Sequence, residues 1–144
     1  MSSDVRNPLT ITLCGSLARA GHDLRRVERA LALAGHLVHA PCPPLPGERP
    51  ATAEQIRHLT ARHYAAMNRS DVVIAVVPDG IVGEATASEV RYAQHRGVRV
   101  LHCFDVDALV ADVAAWLDGP VVAPYRPTGV IPARDVHLPA GVAS

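Results

Sequence analysis

Apolar and polar positions follow two alternating periods along the chain, and this alternation predicts four strand–helix pairs. Short apolar runs, typical of strands covered on both faces, are each followed by a segment with apolar residues at helical spacing. The strands are predicted at residues 8–13, 37–40, 72–77 and 98–103, and the helices at 23–34, 52–68, 83–97 and 106–117. This order predicts an α/β protein with a parallel sheet and right-handed crossovers.

Capping and proline patterns refine these boundaries. Thr52 and Gln55 have the spacing of a capping box, and Gly35 is placed to end the first predicted helix. Prolines crowd the segment after the second strand and recur after residue 120. We therefore expect a single α/β domain over residues 1–120 and a proline-rich tail over residues 121–144, with room in the tail for a short edge strand.

The composition narrows the possible partners. Lys plus Arg and Asp plus Glu both number 14, so the net charge of zero supplies no basic field for a nucleic-acid polymer. No apolar run approaches the roughly 20 residues of a membrane span, and the N-terminus lacks the pattern of a signal peptide. We expect a cytoplasmic protein that does not bind membranes. The near-neutral pI of about 7.1 gives weak support to a homodimer or larger homo-oligomer.

Cysteine and histidine spacing gives no metal signature. The three cysteines are odd in number and far apart, which argues against a disulfide framework or a zinc knuckle. The eight histidines show no metal-ligand spacing, so no metal is expected. Histidine side chains in general titrate near neutrality, so His63, on the long predicted helix, is a candidate for protonating a leaving base. An ordinary surface or capping role is the alternative for His63.

A first candidate site follows the first predicted strand. Cys14, Gly15 and Ser16 lie where parallel sheets bind ligands, at the carboxyl end of a strand. Glycine allows close backbone approach, and free amides before a helix can hold an anion. Ser16 and Arg19 can join them in binding a phosphate or a hydroxyl. The alternative is a plain strand-to-helix turn, since no G-x-G-x-x-G pattern is present.

A second candidate site lies on the helix after the third strand. Thr86, Glu89, Ala93 and Gly97 share one stripe of that helix, and its small residues let it approach the sheet closely. Glu89 is thereby predicted at the ligand-binding edge, partly buried, as a candidate nucleophile. The hydroxyls of Thr86 and Ser88 can help to keep it ionised. A solvated glutamate paired with an arginine is the alternative.

Three further acidic residues flank the third strand. Asp79 follows the strand at its carboxyl end, where it can orient a sugar hydroxyl or simply form the turn. Asp71 lies at the opposite end, so its expected role is structural. Glu84 begins the next helix, and the helix dipole is a sufficient reason for a carboxylate there.

Three segments together, residues 11–16, 70–75 and 81–93, resemble the nucleoside 2-deoxyribosyltransferase superfamily, which includes the 2'-deoxynucleoside 5'-phosphate N-hydrolases. The resemblance covers about residues 9–103. It implies a flavodoxin-like or Rossmann-like parallel sheet of four to five strands with helices on both faces, a homo-oligomer, and no metal or organic cofactor. The implied activity is cleavage of the N-glycosidic bond of a nucleoside or its 5'-monophosphate.

The resemblance also implies residue roles. Glu89 would attack the anomeric carbon and form a glycosyl-enzyme ester, as in retaining glycoside hydrolysis, and water or a second base would resolve it. The Cys-Gly-Ser loop favours hydrolysis over transfer. The predicted catalytic residues are Glu89, His63 and Asp79; the predicted substrate-binding residues are Cys14, Gly15, Ser16, Arg19, Gly83, Glu84, Thr86 and Ser88.

The chain departs from the family pattern at three positions. Thr12 stands where the family often has tyrosine, His63 where characterised members have aspartate, and Gly83 where they have aspartate or serine. These differences motivate a rival hypothesis, in which the chain is a non-catalytic nucleotide-binding or sensor module of the same fold.

Overall fold

In the part of the chain that the structure describes, four parallel strands form the central sheet, as the sequence pattern predicts. The computed structural model of the chain describes residues 8–119. The strand order is β2-β1-β3-β4, with every neighbouring pair parallel, so the expected α/β fold is confirmed. The order changes direction between β1 and β3, and the carboxyl ends of these two strands form the switch point at which such sheets bind ligands. The strands are β1 (Thr10–Cys14), β2 (Leu37–His39), β3 (Val72–Val76) and β4 (Arg99–Cys103).

Helices cover both faces of the sheet. One face packs against α1, α4 and α5, and the other against α2 and α3. Because side chains alternate along a strand, Ile11 and Leu13 enter the first core while Thr12 and Cys14 face α2 and α3. The helices are α1 (Leu17–Leu33), α2 (Ala53–Asn68), α3 (Glu84–His95), α4 (Val106–Ala111) and α5 (Val113–Leu117).

The start of α1 corrects the sequence-based prediction, which began this helix at residue 23. The helix begins at Leu17, where the Ser16 side chain accepts a hydrogen bond from the Arg19 amide at 3.2 Å. The helical apolar period on which the prediction rested becomes visible only from Leu24 onward. The first turn is also set apart by Ala20, whose φ of −125° interrupts the helix.

The last predicted helix, residues 106–117, is likewise wrong as a single element. It is two short helices, α4 and α5, separated at Asp112. Asp112 has an extended backbone and its carboxylate accepts a hydrogen bond from the Ala115 amide at 3.1 Å. An aspartate within a helical pattern can accept hydrogen bonds from nearby backbone amides and so interrupt the helix. The spacing of apolar residues alone does not reveal this interruption.

Other local predictions agree with the structure. The capping box between Thr52 and Gln55 is present in both directions, and strand ends differ from the prediction by one or two residues. The Asp71 carboxylate accepts a hydrogen bond from the Thr10 amide at 2.8 Å, which ties β1 to the segment before β3. Within residues 8–119, no helix is both long enough and apolar enough to cross a bilayer. The predicted tail lies outside the described residues.

Candidate functional site

A cavity of about 470 Å³ opens at the switch point between β1 and β3. Its wall comes from the loop after β1, the end of β2 and the loop that follows, one side of α2, and the first turns of α3. The volume lies within the range of about 300–1,000 Å³ that is usual for small-molecule sites. Six of the predicted substrate-binding residues line it: Gly15, Ser16, Arg19, Gly83, Glu84 and Thr86.

Glu89 lies in the cavity wall with 18% of its side chain exposed. Thr86 and Ala93, on the same stripe of α3, are buried, so the helix does pack closely on the sheet there. The partner of Glu89 is His63, with 3.3 Å between Oε2 and Nε2. The carboxylate therefore occupies the ligand-binding edge of the sheet and faces a histidine.

His63 reaches this position from α2, which buries His63, Tyr64 and Met67 along one face. The imidazole Nε2 lies 3.3 Å from Glu89 and 3.6 Å from the Cys14 sulfur. We assign the proton to Nε2, because a lone pair facing the carboxylate would be unfavourable. The other nitrogen, Nδ1, is buried and has no hydrogen-bond partner among the described residues.

Cys14 ends β1 directly behind the cavity and is fully buried. Burial raises the pKa of its thiol well above the ordinary value, and the charge of Glu89 and a hydrogen bond to Glu89 raise it further. The group is therefore a protonated thiol, which donates to Met67 Sδ at 3.8 Å and lies 3.6 Å from His63 Nε2. Cys14 thus lies against His63 and Glu89. It is not among the residues that line the cavity, as the substrate contact predicted from the sequence would require.

The loop after β1 packs tightly against β3. A Cβ on Gly15 would lie 2.9 Å from the Val76 carbonyl oxygen and 3.3 Å from a Leu24 methyl group. The close approach of the loop to β3 therefore requires glycine at position 15. Ser16 uses its hydroxyl as the N-cap of α1, and Ser16 also lines the cavity.

Asp79 does not line the cavity. One carboxylate oxygen contacts Arg19 Nε at 3.1 Å, and the other accepts a hydrogen bond from the Ile81 amide at 3.0 Å. Arg19 also donates to the Ile81 carbonyl oxygen at 3.4 Å. The structure thus places Asp79 in the turn after β3, where it holds Arg19 against the site.

The remaining predicted residues on α3 separate into two groups. Gly83 and Glu84 border the cavity at the start of the helix, and the Glu84 side chain is exposed. Ser88 is buried in α3 and is not part of the cavity wall, although it is adjacent to Glu89 in sequence.

Sequence reasoning missed several lining residues from β2, the loop after it and α2. His39 ends β2 at the same edge of the sheet, and its ring centroid lies 5.4 Å from that of His63. Burial lowers the pKa of His39, and the nearby His63 and Arg62 add to this shift. Position at a strand end was the signal that could have identified His39. The other missed lining residues include Cys42, Leu59, Thr60 and Arg62.

These elements define a parallel α/β protein with a partly buried carboxylate–imidazole–thiol cluster beside a ligand-sized cavity. Comparison with family models and with curated proteins finds no match for the chain. The assignment of a function therefore depends on the chemistry of the site.

Proposed function

We propose that this protein cleaves the N-glycosidic bond of a nucleoside or nucleoside 5'-monophosphate, with Glu89 as the nucleophile. The observation that carries the proposal is the position of this carboxylate, in the cavity wall at the switch point and in contact with His63 at 3.3 Å. The resemblance of residues 81–93 to the nucleoside 2-deoxyribosyltransferase superfamily supports the same role.

The proposed reaction has two displacements. A Glu89 oxygen forms a bond to the anomeric carbon, and the base leaves with the electrons of the glycosidic bond and receives a proton. Water then attacks the anomeric carbon of the glycosyl ester, loses a proton, and regenerates the carboxylate. Base exchange follows instead when a second base takes the place of the water.

His63 and Cys14 serve the nucleophile in this proposal. Both can donate a hydrogen bond to the Glu89 carboxylate, and such donors hold its oxygens in place for attack. His63 also lines the cavity, and in its doubly protonated imidazolium form it would supply the proton that the leaving base receives. Its contact with Glu89 supports an orienting role as well.

The other end of the substrate is assigned to the loop after β1. The amides around Gly15 and Ser16 precede α1, and the positive end of a helix favours a phosphate. Arg19 lies in the same wall and can add a charged donor. A 5'-phosphate or a 5'-hydroxyl fits this environment.

The test is chromatographic detection of free base from a panel of nucleosides and their 5'-monophosphates. We expect the wild-type chain to release base from at least one of them and Glu89→Gln to lose about 10³-fold or more of kcat. Glu48→Gln is the matched control, because Glu48 is exposed in a loop outside the cavity wall. Full activity in Glu89→Gln would reject the assignment, and ligand binding without base release from any substrate would favour the sensor hypothesis.

A further inference from the structure

Three potential metal ligands from three separate elements meet beside the cavity. Cys14 ends β1, His63 lies on α2 and Glu89 lies on α3. One donor atom from each lies within 4.8 Å of the others. No sequence spacing predicts this set, because the three residues are brought together only by packing of the helices on the sheet.

Two of the three donor separations match those of a tetrahedral zinc site, and the third, between Cys14 Sγ and a Glu89 oxygen, is within 4.8 Å. Zinc bonds of about 2.3 Å to sulfur, 2.05 Å to nitrogen and 2.1 Å to oxygen, at tetrahedral angles, place sulfur and nitrogen about 3.6 Å apart and nitrogen and oxygen about 3.4 Å apart. The observed separations are 3.6 Å between Cys14 Sγ and His63 Nε2 and 3.3 Å between His63 Nε2 and Glu89 Oε2. The three donors are thus close enough together to share a single ion.

From this geometry, we propose that Cys14, His63 and Glu89 form a reversible binding site for one divalent ion of the zinc class. A thiolate, an imidazole and one carboxylate together favour zinc or cobalt over magnesium or calcium. The cavity supplies the path of entry and leaves the fourth position to water or a ligand.

Binding redistributes two protons. The Cys14 thiol releases its proton to solvent as the sulfur–metal bond forms, and the His63 proton moves from Nε2 to Nδ1. The Nε2 contact with Glu89 is thereby replaced by a bond to the metal, and the proton on Nδ1 has no hydrogen-bond partner among the described residues. The same lack of an outer partner weakens the site, since such partners typically contribute 10–100-fold in affinity. We therefore expect an ion that exchanges with a chelator.

Occupation of this site has a consequence that rests on the proposed function. A metal-bound Glu89 oxygen cannot attack an anomeric carbon, so zinc would inhibit base release and a chelator would restore it. Metal binding itself does not depend on that reaction and can be measured without any substrate.

The experiment is titration of the metal-free, reduced wild-type protein with Co²⁺, followed by absorption spectroscopy. We expect one equivalent to produce the visible bands of tetrahedral cobalt and a near-ultraviolet thiolate-to-cobalt band. Cys14→Ser should lose the thiolate band, and His63→Gln should weaken binding at least tenfold. Cys42→Ser is the matched control and should retain both, because Cys42 is an exposed cysteine of the same cavity wall.

The wild-type titration alone can overturn the proposal, even where a buried substitution prevents folding. Absence of a thiolate-to-cobalt band at excess Co²⁺ excludes the site. A band that disappears in Cys42→Ser would show that Cys42, and not Cys14, binds the ion, and would also overturn the proposal. Base release without metal binding would leave the proposed reaction intact and remove the metal site. Metal binding together with no base release by the metal-free protein from any substrate would leave the metal site intact and remove the proposed reaction.

Discussion

The tight packing of the loop after β1 makes Gly15→Ala the most informative stability test. A new Cβ would lie 2.9 Å from the Val76 carbonyl oxygen, whereas ordinary contact begins near 3.4 Å. The nearest atom belongs to the backbone of a fully buried strand, so a flexible side chain cannot simply move aside. The loop must instead shift by roughly half an ångström, at a cost of about 1–3 kcal/mol for overpacking.

Gly21→Ala is the matched control, since it makes the same chemical change within α1. A Cβ on Gly21 meets no atom within 4 Å. Replacing this glycine, which follows the interruption at Ala20, without a clash should stabilise the fold by about 0.4–1 kcal/mol, because alanine restricts the unfolded chain more than glycine does. The two variants are therefore expected to change stability in opposite directions.

Urea unfolding followed by far-ultraviolet circular dichroism measures both effects. We expect a lower midpoint for Gly15→Ala and a higher one for Gly21→Ala, each with an unchanged m value. If Gly15→Ala is as stable as the wild type, the close approach of the loop to β3 is wrong. With the loop displaced, KM for the substrate should also rise in Gly15→Ala, because the amides assigned to the 5' end move with it.

Three further changes test the supporting structure. Thr52→Ala removes the capping box and should lower the free energy of unfolding by about 1 kcal/mol in urea titrations, whereas Thr52→Ser should retain most of it. Asp79→Asn weakens the ion pair that holds Arg19 and should raise KM several-fold for a 5'-monophosphate in steady-state assays, with kcat little changed. A loss of kcat as large as that expected for Glu89→Gln would instead support the predicted catalytic role of Asp79. Burial lowers the pKa of His102. As the pH drops below the ordinary histidine value of about 6.5, the unfolded chain therefore binds a proton at this residue more readily than the folded chain does, and the free energy of unfolding falls. In His102→Gln, the free energy of unfolding should decline less steeply between about pH 7 and 5 than in the wild type. An unchanged slope would show that His102 is not a cause of the decline.

The sequence pattern predicted those features that depend on local rules. The fully buried strand β3 appears as a continuous apolar run, and the capping box at Thr52 follows from two side chains three residues apart. The placement of Glu89 followed from the small residues on its stripe of α3. Each of these inferences needed only neighbouring positions in the chain.

The remaining features depend on tertiary contacts or on competition between local signals. The early start of α1 depends on a serine cap before a largely exposed first turn, where no apolar period exists to detect. The cluster of Cys14, His63 and Glu89 depends on how α2 and α3 pack over the end of β1, which no spacing encodes. Arg19 was predicted to bind substrate, but its ion pair with Asp79 became visible only in the folded chain.

The central claim is that Glu89 becomes covalently attached to the sugar, and the most direct measurement is mass spectrometry of the trapped protein. A substrate from the base-release panel, carrying fluorine at C2', slows both displacements because fluorine destabilises the oxocarbenium-like transition states. After incubation and proteolysis, we predict a sugar adduct on the peptide that contains Glu89, and no adduct in Glu89→Gln. Release of base with no adduct on Glu89, or with the sugar on another residue, would contradict the account.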